Sequence, residues 1–287
     1  MITELNKQQV TEKLKEYCDR YESQNKAAKS LNGVSSATIS QALNSNWELI
    51  SDEMWRNIGS QIGYSENEWV AVEIRDFKRL NGLLADSQNF GNVFAVTGEA
   101  GSGKSFALRQ FANDNKRVYL LQCYEYWNRK MFLQELLSSL GRDYSGYTVG
   151  EMMTEAVRVL KTQHCPLIIM DEADKLSDQV LYFFITLYNQ LEDRAGIVLC
   201  ATDHLSKRIR RGLKLNKKGY KEIYSRIGRK FIELSGPGSS DIASICLANG
   251  ITEKSKIKDI IEKSEFDLRR VKRLIHAQKQ IDKQAAV

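Results

Sequence analysis

Eight consecutive residues constrain this chain more than any others: Gly98, Glu99, Ala100, Gly101, Ser102, Gly103, Lys104 and Ser105. They satisfy the spacing G-x-x-x-x-G-K-[ST]. The apolar run VFAVT at 93–97 reads as a strand before them, and FALRQFAND at 106–114 reads as a helix after them. Strand, glycine-rich turn and helix in that order let successive backbone N–H groups point inward, while the helix N-terminus adds positive potential. Such a loop cradles phosphate oxygens. These eight residues and Phe106 are therefore the candidate nucleotide-binding set, with Lys104 reaching the β- and γ-phosphates and Ser105 ligating Mg²⁺.

A complementary half follows in Leu167-Ile168-Ile169-Met170-Asp171-Glu172, whose Asp171 lies 67 residues after Lys104. A continuous apolar strand places its last carboxylates at the C-terminal edge of a sheet, where open α/β sheets bind ligands. Asp171 is expected to hold the Mg²⁺ water shell, and Glu172 to orient and polarise an attacking water. A glutamate directly after the aspartate favours hydrolysis over simple nucleotide switching.

The surrounding pattern fits an α/β fold. Strand-like runs at 93–97, 118–123, 167–170, 197–201 and 231–234 alternate with longer helical runs, which argues for a mostly parallel sheet flanked by helices. Residues 1–65 instead read as short helices. Their expected apolar core is Tyr17, Tyr21, Ala27, Ala28, Leu31, Ile39, Leu43, Trp55, Ile58 and Ile62. A connecting helix is expected from 66 to about 88, opening a core of 66–235. Gly236-Pro237-Gly238 then breaks the chain before a helical segment, 236–287, in which Asp241 and Thr252 are the expected N-caps.

The chain of 287 residues has 42% hydrophobic residues, enough to fill packed cores. No apolar run approaches the length of a membrane span, and the charged start is expected to be neither a signal peptide nor an anchor. Five scattered cysteines without a CxxC pair argue against a disulfide framework or a zinc site and point to a reducing cytoplasm. Formal charge is +6, unevenly spread. Residues 206–230 hold eleven lysines and arginines against the single acid Glu222, so the remainder is net negative. That stretch reads either as a polyanion-binding patch or as a solvated loop.

Phosphate loop, Asp-Glu strand and the run Val198-Leu199-Cys200-Ala201-Thr202 together resemble the core of AAA+ ATPases. The resemblance implies that the third run lies between the other two strands, with Thr202 as its sensor 1 residue. Tyr224-Ser225-Arg226 resembles the motif that supplies an arginine finger to a neighbouring subunit's γ-phosphate, which implies an oligomer. Asp267-Leu268-Arg269-Arg270 resembles the sensor 2 helix of the lid, with Arg269 in the acting position and Phe266 where the family has glycine.

At the N-terminal end, 24–43 reads as helix, turn at Gly33 and a second helix capped by Ser35, a helix-turn-helix pattern. Val34 and Ile39 would anchor the second helix, leaving Ser36, Thr38 and Gln41 among the residues facing a major groove. Together with 47–63 the segment resembles λ-repressor-like domains, with a turn one residue longer than usual. A helical bundle used for protein contacts is the other reading.

This domain order is similar to that of the transposition ATPases typified by phage Mu transposition protein B, IstB and TnsC. That resemblance implies an ATP-dependent, largely sequence-independent binder of duplex DNA in the bacterial cytoplasm, at the nucleoid. It would assemble as a helical filament, select target DNA and recruit and stimulate a transposase. Arg129, Lys130, Lys207, Arg208, Arg210 and Arg211 are the candidate phosphate contacts, although the 206–230 stretch could equally serve a subunit interface. An ATP-regulated, sequence-specific transcription regulator and a replication loader are the competing readings.

Overall fold

The structure, a computed structural model, describes residues 4–19, 21, 23–64 and 69–285. The chain divides into two compact units, 1–70 and 71–287.

The first unit consists of α1 (Glu4–Cys18), α2 (Gln24–Ser30), α3 (Ser36–Leu43) and α4 (Asp52–Gln61). Ser23, Ser35 and Ser51 start the last three helices, each side chain accepting the N–H three residues on. These caps satisfy donors that a helix cannot pair internally. Gly33 turns the chain at φ +72°. Gln61 of α4 fixes that turn, accepting from Asn32 N at 2.6 Å and donating to its carbonyl at 2.9 Å. Ala27, Ala28, Leu31, Val34, Ile39, Trp55, Ile58 and Ile62 are buried together, with Tyr17, Tyr21 and Leu43 half-buried against them.

The second unit opens with α5 (Arg75–Phe90). The helix expected from 66 therefore begins at Arg75; residues 69–74 have no regular structure, and 65–68 lie outside the described residues. Alternating elements follow: β1 (Val93–Thr97), α6 (Lys104–Asp114), β2 (Val118–Gln122), α7 (Arg129–Ser139), α8 (Val149–Lys161) and β3 (Leu167–Asp171). Next come α9 (Asp178–Leu181), α10 (Phe183–Leu191), β4 (Gly196–Ala201), α11 (Asp203–Lys214), α12 (Tyr220–Arg226) and β5 (Ile232–Glu233). Among the described residues the strands form a five-stranded parallel sheet in the order β2-β3-β4-β1-β5.

Side chains alternate across a strand, so each strand feeds two cores. Ile168 and Met170, with Ile197, Leu199 and Ala201, face a cluster that includes residues of α7, α8, α10, α11 and α12. Leu167 and Ile169, with Val198 and Cys200, face Leu80 and Leu84 of α5 and Leu108 and Phe111 of α6. Strands covered on both faces are apolar along their length, which is why 167–170 reads as one unbroken run. At Gly196 the backbone of α5 comes so close that an added Cβ would sit 2.3 Å from the Ser87 carbonyl oxygen.

A helical segment of α13 (Ser239–Ala248), α14 (Lys254–Ser264) and α15 (Leu268–Ala285) completes the unit. Its caps differ from those expected. Gly238 rather than Asp241 begins α13, and the Asp241 carboxylate reaches back to accept Gly238 N–H at 2.8 Å. Glu253, not Thr252, precedes α14. Buried Asp76 of α5 accepts Gly236 N–H at 2.7 Å, and Arg79 donates to the Glu233 carbonyl at 2.9 Å. These two bonds tie β5 and the start of the helical segment to α5.

Candidate functional site

Strand β1 ends at Thr97, the chain turns through 98–103, and α6 starts at Lys104. Gly101 and Gly103 take φ +79° and +92°, a left-handed backbone that glycine adopts without steric cost. Lys104 is buried and donates to the carbonyls of Gly98 at 2.7 Å and Glu99 at 2.6 Å, with the Ser102 hydroxyl at 3.3 Å. A buried ammonium needs acceptors, and these loop oxygens supply them. Burial pushes its pKa down; Cys200, Asp171 and Asp174 oppose that shift, and the nearby Arg269 guanidinium adds to it. Glu99 and Ala100 lie exposed on the loop, Ser102 is buried, and Phe106 faces outward with its ring 6.2 Å from that of Phe77.

Asp171 ends β3 at the same edge and is buried. Burial raises its pKa, opposed by hydrogen bonds from the Ser105 hydroxyl and Glu172 N–H. Ser105 and Asp171 thus bring two hard oxygen donors together beside the loop. This donor set fits Mg²⁺, which takes one or two protein oxygens and completes its shell with phosphates and water. The ion would supply charge neutralisation for phosphate oxygens; Ser105 and Asp171 would hold it.

Glu172 leaves the strand in a left-handed conformation, φ +57°, and its carboxylate is paired with Lys175. Strand β4 lies between β3 and β1, as the resemblance implies. Thr202 follows β4 and caps α11; its hydroxyl donates to Asp174 Oδ2 at 2.6 Å. Asp174 was not among the candidate residues, although the acid three positions after Asp171 was visible in the run DEAD.

The helical segment reaches the loop directly. Leu268 N–H donates to the Gly101 carbonyl at 2.9 Å, and a Cβ on Gly101 would meet the Asp267 carboxylate at 2.4 Å. Asp267 caps α15 through Arg269 N–H at 2.7 Å, which sets exposed Arg269 near the loop. Phe266, at the position where the family has glycine, takes φ +62°. The backbone takes this left-handed conformation although the side chain disfavours it.

Arg226 lies elsewhere. It lines a pocket with Gly91, Asn92, Val93 and Ile197, at the edge where β1 and β4 begin. The phosphate loop follows the opposite end of β1, roughly 15 Å of strand away. Its guanidinium donates twice to Asn189 Oδ1, at 2.9 and 2.7 Å, and sits over the Tyr188 ring.

The basic candidates separate by environment. Arg208 does not face outward: it is bound to Asp178, the Tyr220 hydroxyl and the carbonyls of Asp174 and Leu176. It is a tie between α11, α12 and the segment after β3, and a correction to its place among the phosphate contacts. Lys207 pairs with Asp203, and Arg210 lies over Phe231. Arg129, Lys130 and Arg211 are exposed, as are Lys214, Lys217 and Lys218 beyond them. In the first unit, Ser36 is exposed. Thr38 is half-buried, with its hydroxyl 2.8 Å from Ser35 Oγ, and Gln41 is half-buried. Local capping therefore occupies the Thr38 hydroxyl.

Sheet order, glycine-rich loop and the carboxylates at the adjoining strand end define an α/β domain with a five-stranded parallel sheet flanked by helices, an arrangement consistent with an AAA+ P-loop core. Residues 90–209 match the protein family described as AAA domain. Among solved structures the chain is similar to a Signal Transduction ATPase with Numerous Domains protein with a tetratricopeptide repeat sensor from Pyrococcus horikoshii, at 15% identity and a TM-score of 0.39. That match covers 71% of this chain, which spans 30% of the other's length. No curated protein matches the chain.

Proposed function

We propose that the chain hydrolyses ATP with Mg²⁺ and that the nucleotide governs its assembly on duplex DNA, in the manner of the transposition ATPases it resembles. The observation that carries the catalytic part is the meeting of Lys104, Ser105, Asp171, Glu172 and Thr202 at one end of β1, β3 and β4. Lys104 would exchange its loop carbonyls for phosphate oxygens. Glu172 would orient water once its carboxylate leaves Lys175, and Thr202 would report the γ-phosphate by exchanging its bond to Asp174. Preorganised charge of this kind is the main source of catalysis in phosphoryl transfer.

Arg226 supports a shared site. At the far edge of the sheet from its own phosphate loop, it acts on nucleotide only if a neighbouring copy brings its loop there. Exposed Lys207, Arg210, Arg211 and Lys214 on α11, with Arg129 and Lys130 on α7, support a phosphate-tracking surface whose affinity falls steeply with salt. Helix α3 contains no charged side chain, which weighs against the operator-reading alternative. The functions of selecting target DNA and recruiting a transposase belong to this proposal through the resemblance alone.

Electron microscopy on random-sequence duplex DNA with ATP, ADP or no nucleotide tests the reading. Ordered helical assemblies with ATP only are expected. Isolated particles at one preferred site, whichever nucleotide is present, would favour the regulator instead.

A further inference from the structure

The strongest unassigned surface is the loop of residues 123–128, between β2 and α7. It leaves the sheet edge that carries the nucleotide site, and Cys123 N–H is tied to the Asp171 carbonyl at 2.8 Å. Its rings form a column from the core outward. Phe132 is fully buried and lies 6.3 Å from Trp127; Trp127 stands edge-on to Tyr124 at 5.5 Å. Tyr124 in turn stacks on Tyr126 at 5.3 Å with their planes 22° apart. Tyr124 is 36% and Tyr126 64% exposed. An exposed aromatic ring held in place by a buried column loses little conformational freedom on binding a second flat group.

Two cations follow this loop. Asn128 caps α7 through Met131 N–H at 3.0 Å, which sets Arg129 and Lys130 in the first helical turn, three and four residues after Tyr126. Both side chains are exposed, and among the described residues neither makes an ion pair or hydrogen bond. The loop's carboxylate, Glu125, lies near enough to Lys175 to act on it. A planar stacking face followed in the chain by two uncompensated cations matches a nucleobase and the phosphates on either side of it. A duplex keeps its bases stacked inside and offers this ledge only phosphate and sugar.

We infer that Tyr124 and Tyr126 form a stacking platform for an unpaired base, so that this surface prefers single-stranded DNA, with Arg129 and Lys130 holding its phosphates. The inference rests on the reading of the chain as a DNA binder and adds a strand class to it. Every base has a π-face, so the preference is for strandedness, not sequence.

Fluorescence anisotropy of the full chain with ATP tests this, using labelled oligothymidylate and a labelled random duplex at several salt concentrations. Tyr126→Ala is expected to weaken oligothymidylate binding about tenfold, with duplex binding within about twofold and the salt slope unchanged. Tyr126→Trp should restore the affinity. Lys130→Ala should weaken both ligands and reduce the single-strand salt slope by about 0.7. An unchanged melting temperature in Tyr126→Ala excludes misfolding as the cause. Unaltered oligothymidylate binding in Tyr126→Ala, or equal losses on both ligands, would overturn the platform while leaving duplex binding intact. Failure of the wild-type chain to bind either DNA would overturn the proposed function as well.

Discussion

Lys175 Nζ lies 2.7 Å from Glu172 Oε2, so the carboxylate proposed to orient water is held by an ion pair one turn along its own chain. The hydrogen bond to Glu172 raises the Lys175 pKa. With Lys175 42% exposed, solvent screens the pair, and its worth is about 1 kcal/mol or less. Removing it should release Glu172 at little cost to the fold. Lys175→Ala is expected to raise DNA-free ATP turnover by up to about fivefold, and Glu172→Gln should abolish turnover in either background. Unchanged steady-state turnover in Lys175→Ala would show that the ion pair does not restrain the site.

Arg226 makes a second prediction, because its place at the far sheet edge rules out action on its own nucleotide. Arg226→Ala should bind nucleotide as the wild type does yet lose turnover, a loss of order 10³-fold for a finger residue. Mixing it with Glu172→Gln chains should recover part of the activity, since some junctions then pair an intact finger with an intact loop. No recovery in the mixture, with both variants assembling, would contradict a shared site.

The Arg208 tie gives a prediction about stability and pH. Burial pushes the Asp178 pKa up, but the Tyr220 hydroxyl and the Arg208 guanidinium outweigh it and hold the carboxyl below its ordinary value. A lowered folded pKa contributes stability that is present above the unfolded value and lost as pH falls through the folded one. Asp178 is 40% exposed, so screening limits the effect, and Asp178→Asn should cost about 1–2 kcal/mol at pH 7. Urea unfolding at several pH values checks this: the gap between wild type and variant should close below about pH 4. A gap constant with pH would assign the loss to packing instead.

Gly196 tests the packing of α5 on the sheet. The obstacle to a Cβ there is the backbone carbonyl of Ser87, which cannot rotate away as a side chain could. Gly196→Ala should destabilise by about 1–3 kcal/mol, read as a lower melting temperature. A melting temperature equal to that of the wild type would mean that α5 shifts freely.

Much of the second unit was legible because its signals are local. The runs 93–96 and 167–170 are apolar on both faces, and the phosphate loop needs glycines at the positions that take positive φ. The start of α5 was less legible. Residues 66–74 carry charged and apolar residues at helix-like density, yet 69–74 stay irregular and the helix begins one residue before Asp76 anchors Gly236. Arg208 was misread for a related reason. Its position in a basic run is local, whereas its acceptors at 174, 176, 178 and 220 come together only through the sheet topology. The bond from Thr202 to Asp174 likewise joins residues 28 apart, at the ends of adjacent strands. At Phe266 the structure supplies what pattern alone did not: the residue makes a left-handed turn, and Leu268 meets Gly101 just after it.

The central claim is that nucleotide held on Lys104 controls the grip on DNA. The most direct measurement is the affinity of the wild type and Lys104→Ala for a random duplex with ATP, ADP and no nucleotide, at one fixed salt concentration. The account predicts tight binding by the wild type with ATP only, and weak binding by Lys104→Ala under all three conditions. Wild-type affinity that is the same in all three, or an ATP response retained by Lys104→Ala, would contradict it.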